Sequence, residues 1–126
     1  MEIDRRFDKQ HNLIRYDVRG VADPETVLAF ATETVKHPEF VSGMNTIWNL
    51  DGADLSHLSS SDFRRSRSVP RAPAAQRGSA RVVIVTGDAL SYGLVRMFMA
   101  YAGLEHLDYH VVNTMSEAFE LLGIQD

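Results

Sequence analysis

Val82-Val83-Ile84-Val85-Thr86-Gly87-Asp88 is the stretch that decides the fold. Four consecutive apolar residues, all β-branched, suit a pleated surface, and a run with no polar alternation has no solvent face. The segment therefore predicts a strand covered on both sides, at the middle of a sheet. Gly87 and Asp88 turn the chain into a helix, with the Asp88 carboxylate as its N-cap. A phosphate-holding turn is the competing reading of this spot, but the single glycine and the absence of a following lysine fit it poorly.

The helix after Asp88 carries Leu90, Leu94, Met97, Phe98 and Tyr101 on one stripe, and Tyr92, Val95, Met99 and Ala102 on a second. A helix lying on one sheet face needs only one apolar stripe. The second must therefore meet neighbouring helices, a homodimer partner or an apolar ligand, and Tyr92, Val95 and Met99 mark that surface. Further on, Tyr109, Val111 and Val112 predict a last strand. Thr114 and Glu117 have capping-box spacing ahead of a short helix that closes on Gly123.

Upstream, Ile14, Tyr16 and Val18 alternate with Arg15, Asp17 and Arg19, and Ile3 and Phe7 share a parity. Period two with charges on the other side predicts a hairpin with one face in water. Asp23 and Pro24 then start a helix running to about Lys36, with Val27, Leu28, Ala31 and Val35 as its apolar face. Ile47, Trp48 and Leu50 form a short strand. Ser59, three residues before Asp62, opens another helix, with Leu58 and Phe63 spaced as a hydrophobic staple. Val69 to Ser79, broken by Pro70 and Pro73, reads as an exposed, mobile loop. The sum is one α/β domain over residues 1–126, with a mixed sheet of about five strands. A hairpin is followed by three strand-and-helix units, with helices mainly on one face.

Hydrophobic residues at 44% and charged residues at 24% are an ordinary globular balance, so the chain should bury a real core unaided. A formal charge of -4 argues against a general nucleic-acid binder, whose affinity rests on cationic contacts to phosphate. No cysteine is present, which leaves no disulfide, thiol nucleophile or thiolate metal site. The start, Met1-Glu2-Ile3-Asp4, lacks the plan of a signal peptide, and no apolar run approaches a membrane span. A cytoplasmic location is the expectation.

The order of elements, with the run from Arg81 to Gly123 ending in Ser116-Glu117-Ala118-Phe119-Glu120-Leu121-Leu122, resembles bacterial SpoIIAA-like proteins, which are similar to the STAS domains of anti-sigma factor antagonists. The resemblance implies a regulatory domain that binds a protein, with a serine at the start of the second helix as a phosphorylation switch. By position, that switch and partner surface would comprise Asp51, Ser59, Ser60, Ser61 and Asp62. The chain departs from the STAS phrase, since Asp62 stands where a small residue is expected. A helix N-terminus tolerates a phosphate well. Ser59 is fully explained as a plain N-cap, which is the plainer account.

Arg64, Arg65, Arg67 and Arg71 form a candidate anion patch, with Arg77 and Arg81 continuing the basic run; a solvated helix face is the plainer account. No aromatic residue is interleaved there to stack on bases. His106 and His110 straddle a loop and a strand, so they need not converge on a metal. Asp51, His57 and Ser61 supply the types of a catalytic triad, but no nucleophile elbow accompanies them. The expectation is a non-enzymatic domain without cofactor or metal. Its partner would be a protein, with a homodimer or a small apolar or anionic (lipid-like) ligand as alternatives.

Overall fold

The computed structural model describes residues 1–70, 74–102 and 108–125. Two strands, β1 (Glu2–Asp8) and β2 (Leu13–Val21), form an antiparallel hairpin, pairing Ile3 with Val18 and Phe7 with Ile14. Helix α1 (Pro24–Thr34) leads to β3 (Asn45–Asn49) and a two-residue strand β4 (Ala53–Asp54). After α2 (Ser60–Arg65) and a 3-10 turn at Ser66–Ser68 come α3 (Ala74–Arg77) and β5 (Val82–Val85). Helix α4 (Ala89–Ala102), β6 (Tyr109–Val112) and α5 (Met115–Leu122) complete the order. The sheet runs β1-β2-β3-β5-β6, parallel from β2 onward, with β4 pairing the far end of β2.

Three parallel steps in the same direction, for which right-handed crossovers are the rule, put α1, α2 and α4 on one face. There they cover Ile14, Tyr16, Val18, Trp48 and Leu50. Helix α5 lies on the opposite face, where Leu13, Ile47, Val83, Val85 and Ala118 are buried against Phe119 and Leu122. Beyond the reach of α5 that second face is polar: Arg15 pairs with Asp17, and the Asn49 amide donates to Asp17 at 2.9 Å. The charged side of the hairpin is thus the part of the sheet that α5 leaves uncovered.

The caps lie where residue chemistry puts them. The Asp23 carboxylate accepts from the Glu25 N–H, and Ser91 N–H donates to Asp88 Oδ1 at 2.8 Å. Thr114 accepts from the Glu117 N–H at 3.1 Å, and the Glu117 carboxylate returns to the Thr114 hydroxyl instead of its backbone N–H. Gly123 ends α5 in the left-handed conformation.

Four features differ from the sequence expectation. The valine-rich β5 is interior and covered on both faces, but β3 is the middle strand, with two neighbours on each side. Helix α1 stops at Thr34, and Lys36 and His37 bond back three residues in turns. The four-residue α3 interrupts the stretch from Val69 to Ser79, of which 71–73 lie outside the described residues. The stripes of α4 divide otherwise: Leu90 and Met97 are 63% and 46% exposed, whereas Val95 and Met99 are each 6% exposed, with Leu94 and Phe98 beside them in the core. Positions seven apart share a helix face, so Leu90 and Met97 turn outward together. Among the described residues no helix is long and apolar enough to cross a membrane.

Candidate functional site

Between the sheet and its three covering helices the packing leaves an apolar cavity of about 90 Å³. Its floor is Trp48 and Leu50 from β3 and its extension, and Ile84 from β5. Val27, Leu28 and Ala31 of α1 form one wall, and Leu94, Val95, Phe98 and Met99 of α4 the other. Leu55, Leu58 and Phe63 close it from the α2 side. Phe63 is held over the cavity because it is only 1% exposed and stacks on Phe98, ring centroids 5.9 Å apart.

A second hollow of about 370 Å³ shares Ala31, Trp48 and Tyr109 with the first, so the two adjoin at these residues. Tyr16 and Trp48 are register partners on β2 and β3, and their rings stack 3.7 Å apart at 5°. The Tyr16 hydroxyl donates to Thr34 Oγ1 at 2.6 Å, and Thr34 donates in turn to the Phe30 carbonyl at 2.9 Å. Arg5 also donates to Thr34 Oγ1, pairs with Glu33 at 2.7 Å, and lies 4.8 Å over the Phe30 ring. Burial pushes the Tyr16 phenol up to about 12, so it remains a hydrogen-bond donor throughout the neutral range. The hollow is ringed further by Phe40, Met44, Arg77, Ser79 and Asp108.

The residues singled out in the sequence fall into separate places. Ser59 and Asp62 bond one another in a complete capping box: Ser59 N–H donates to Asp62 Oδ2 at 2.9 Å, and Asp62 N–H donates to Ser59 Oγ at 3.4 Å. Ser61 is exposed and accepts from Arg65; Ser60 is half-buried. Arg65 also bonds Glu25 and Asp62, and the Glu25 contact foremost raises its pKa. Arg67 donates to the Tyr101 carbonyl, Arg64 is exposed, and Arg71 lies outside the described residues. The arginines therefore tie α2 to α1 and the turn after it to α4, in addition to facing solvent. Tyr92 lines a different hollow with Asp88 and Glu117, whereas Val95 and Met99 line the apolar cavity. Burial of those two closes them to a homodimer face but leaves them available to a ligand inside.

Exposed Asp51 packs its carboxylate against Gly87, which holds φ +88°; a Cβ there would overlap the carboxylate. This close approach and left-handed backbone explain why glycine stands at the turn. Among the described residues no serine or threonine hydroxyl is bonded to a histidine, and no three acidic or histidine side chains are grouped to hold a metal. His106 lies outside the described residues, and His110 bonds Asp108 at 2.5 Å. Tyr16, Thr34, Trp48 and Arg77 were not separable in the sequence as a site, because strand register and chain return bring them together.

The cap gives a pH-dependent expectation. Hydrogen bonds from the Ser59 N–H and hydroxyl hold the Asp62 carboxyl below its ordinary value of 3.8. A depressed carboxylate pKa adds stability that is present above the unfolded value and lost as pH falls through the folded one. NMR Cα shifts of Ser60–Arg65 should therefore lose helical character below about pH 4, and Asp62→Asn should remove that titration. An unchanged titration in Asp62→Asn would place the sensitive group elsewhere. A scan against protein-family models finds no match to this chain, and a search of curated proteins finds no similar sequence.

Proposed function

We propose that this protein is a binding module that holds a small apolar molecule and acts through that binding, without transforming it. The observation that carries the reading is the wholly apolar lining of the cavity between the sheet and helices α1, α2 and α4. Close-packed interiors contain few voids larger than a water molecule, and an apolar void is poor ground for water, which needs polar partners. A hydrocarbon group entering it recovers dispersion contacts that the lining lacks.

A second reading is favoured by the position of α2. The loop and helix N-terminus from Leu55 to Phe63 close the cavity, and the same stretch carries the exposed Ser59 and Ser61. Under the SpoIIAA-like kinship suggested by the order of elements, which we retain as part of the proposal, a protein partner would dock on this edge near Asp51. Cavity occupancy would then bear on docking through α2.

Native mass spectrometry of the freshly purified chain tests both. The ligand reading expects an added small mass, released on denaturation, or its replacement by 1-decanol supplied to the protein. A bare spectrum together with no decanol uptake would defeat it. A stoichiometric second protein that Ser61→Glu removes, with fold intact, is the outcome that favours docking.

A further inference from the structure

We propose that the Arg77 guanidinium anchors the anionic head of a single-chain carboxylate whose alkyl tail passes Trp48 into the apolar cavity, an inference that rests on the cavity reading above. Arg77 lines the larger hollow, and its Nε is cut off from water with no hydrogen-bond partner. The comparable Nε of Arg15, also without a hydrogen bond, faces Asp17 Oδ2 at 3.2 Å. Among the described residues Arg77 faces no such carboxylate. The rest of this half-buried cationic side chain keeps its charge, and a buried N–H without an acceptor is unfavourable, so an anion reaching it from the hollow would satisfy both the donor and the charge.

The surroundings suit that head and that tail. The Arg77 carbonyl accepts from Gly43 N–H at 2.9 Å, which fixes its backbone beside the hollow. Asp108, the acidic side chain on the same lining, is engaged by His110 at 2.5 Å and faces Arg81 at 3.5 Å. Its charge is thereby offset by its own neighbours. The planar guanidinium fork matches a carboxylate in two parallel hydrogen bonds. Trp48 and Ala31 line both this hollow and the apolar cavity, so a tail extending from the head would pass beside them. A hollow that presents the Arg77 cation beside a wholly hydrocarbon cavity is the complement of a fatty carboxylate.

Calorimetric titration of the wild-type chain, Arg77→Leu and Arg77→Lys with decanoate and with 1-decanol at neutral pH tests this. Arg77→Leu should weaken decanoate binding by about tenfold or more, the scale of a lost charged hydrogen bond, and leave 1-decanol within about twofold. Arg77→Lys should recover part of the decanoate affinity. Equal effects of Arg77→Leu on both ligands, no effect on either, or wild-type binding of decanol without decanoate would each overturn the anchor while the cavity reading stood. Failure of the folded wild type to bind either compound would overturn both.

Discussion

Trp48→Ala should lower the unfolding free energy by about 3–5 kcal/mol, the range for removing a buried large aromatic side chain. Trp48 is 7% exposed, sits on the middle strand, stacks on Tyr16, and forms the floor shared by both hollows. Its loss would leave Tyr16 without its ring partner and merge two voids into one. A domain of this kind has a total stability of about 5–15 kcal/mol, so the loss is a large part of the whole. Urea denaturation followed by circular dichroism measures it. A change below about 1 kcal/mol would mean that the indole is not the packed floor described above.

Val95→Phe should abolish binding of 1-decanol, lowering affinity by about a hundredfold or more, with little loss of stability. Val95 points into the apolar cavity from α4 and is 6% exposed. A phenyl ring there would occupy the volume that a bound alkyl group requires. Enlarging a residue in a filled core costs about 1–3 kcal/mol. Where a void already exists, recovered contacts offset much of that strain. Ala22→Leu reaches the same cavity from the connection between β2 and α1 and serves as a companion should Val95→Phe fold poorly. Undiminished decanol affinity in a folded variant of both kinds would move the binding site away from this cavity.

The parts of the fold that the sequence made legible are those set by local chemistry. β-branched residues specify β5, alternation specifies β2, and Asp23, Ser59, Thr114 and Gly123 mark helix ends by the groups their side chains or backbone can satisfy. The order of parallel strands is different. Nothing in Val82–Val85 distinguishes a middle strand from its neighbour, because both are covered on two faces. Nor can two residues, Ala53 and Asp54, display a period.

The site was less legible for the same reason. Tyr16 and Trp48 meet only because β2 and β3 pair in one register, and Thr34 reaches them from the end of α1. Arg77 stood in a basic run that reads as solvated; its orphaned Nε emerges only when the chain has folded back over the sheet. The α4 surplus of apolar residues divided differently from its two sequence stripes. Val95 and Met99 entered the cavity wall, and Leu90 and Met97 faced outward.

Fluorescence of Trp48 tests the central claim most directly, since this is the chain's one tryptophan and it borders both hollows. Titration of the native protein with 1-decanol should give a saturable change in its emission that Val95→Phe suppresses. An emission spectrum unaltered up to the solubility limit of the alcohol would contradict an internal ligand cavity.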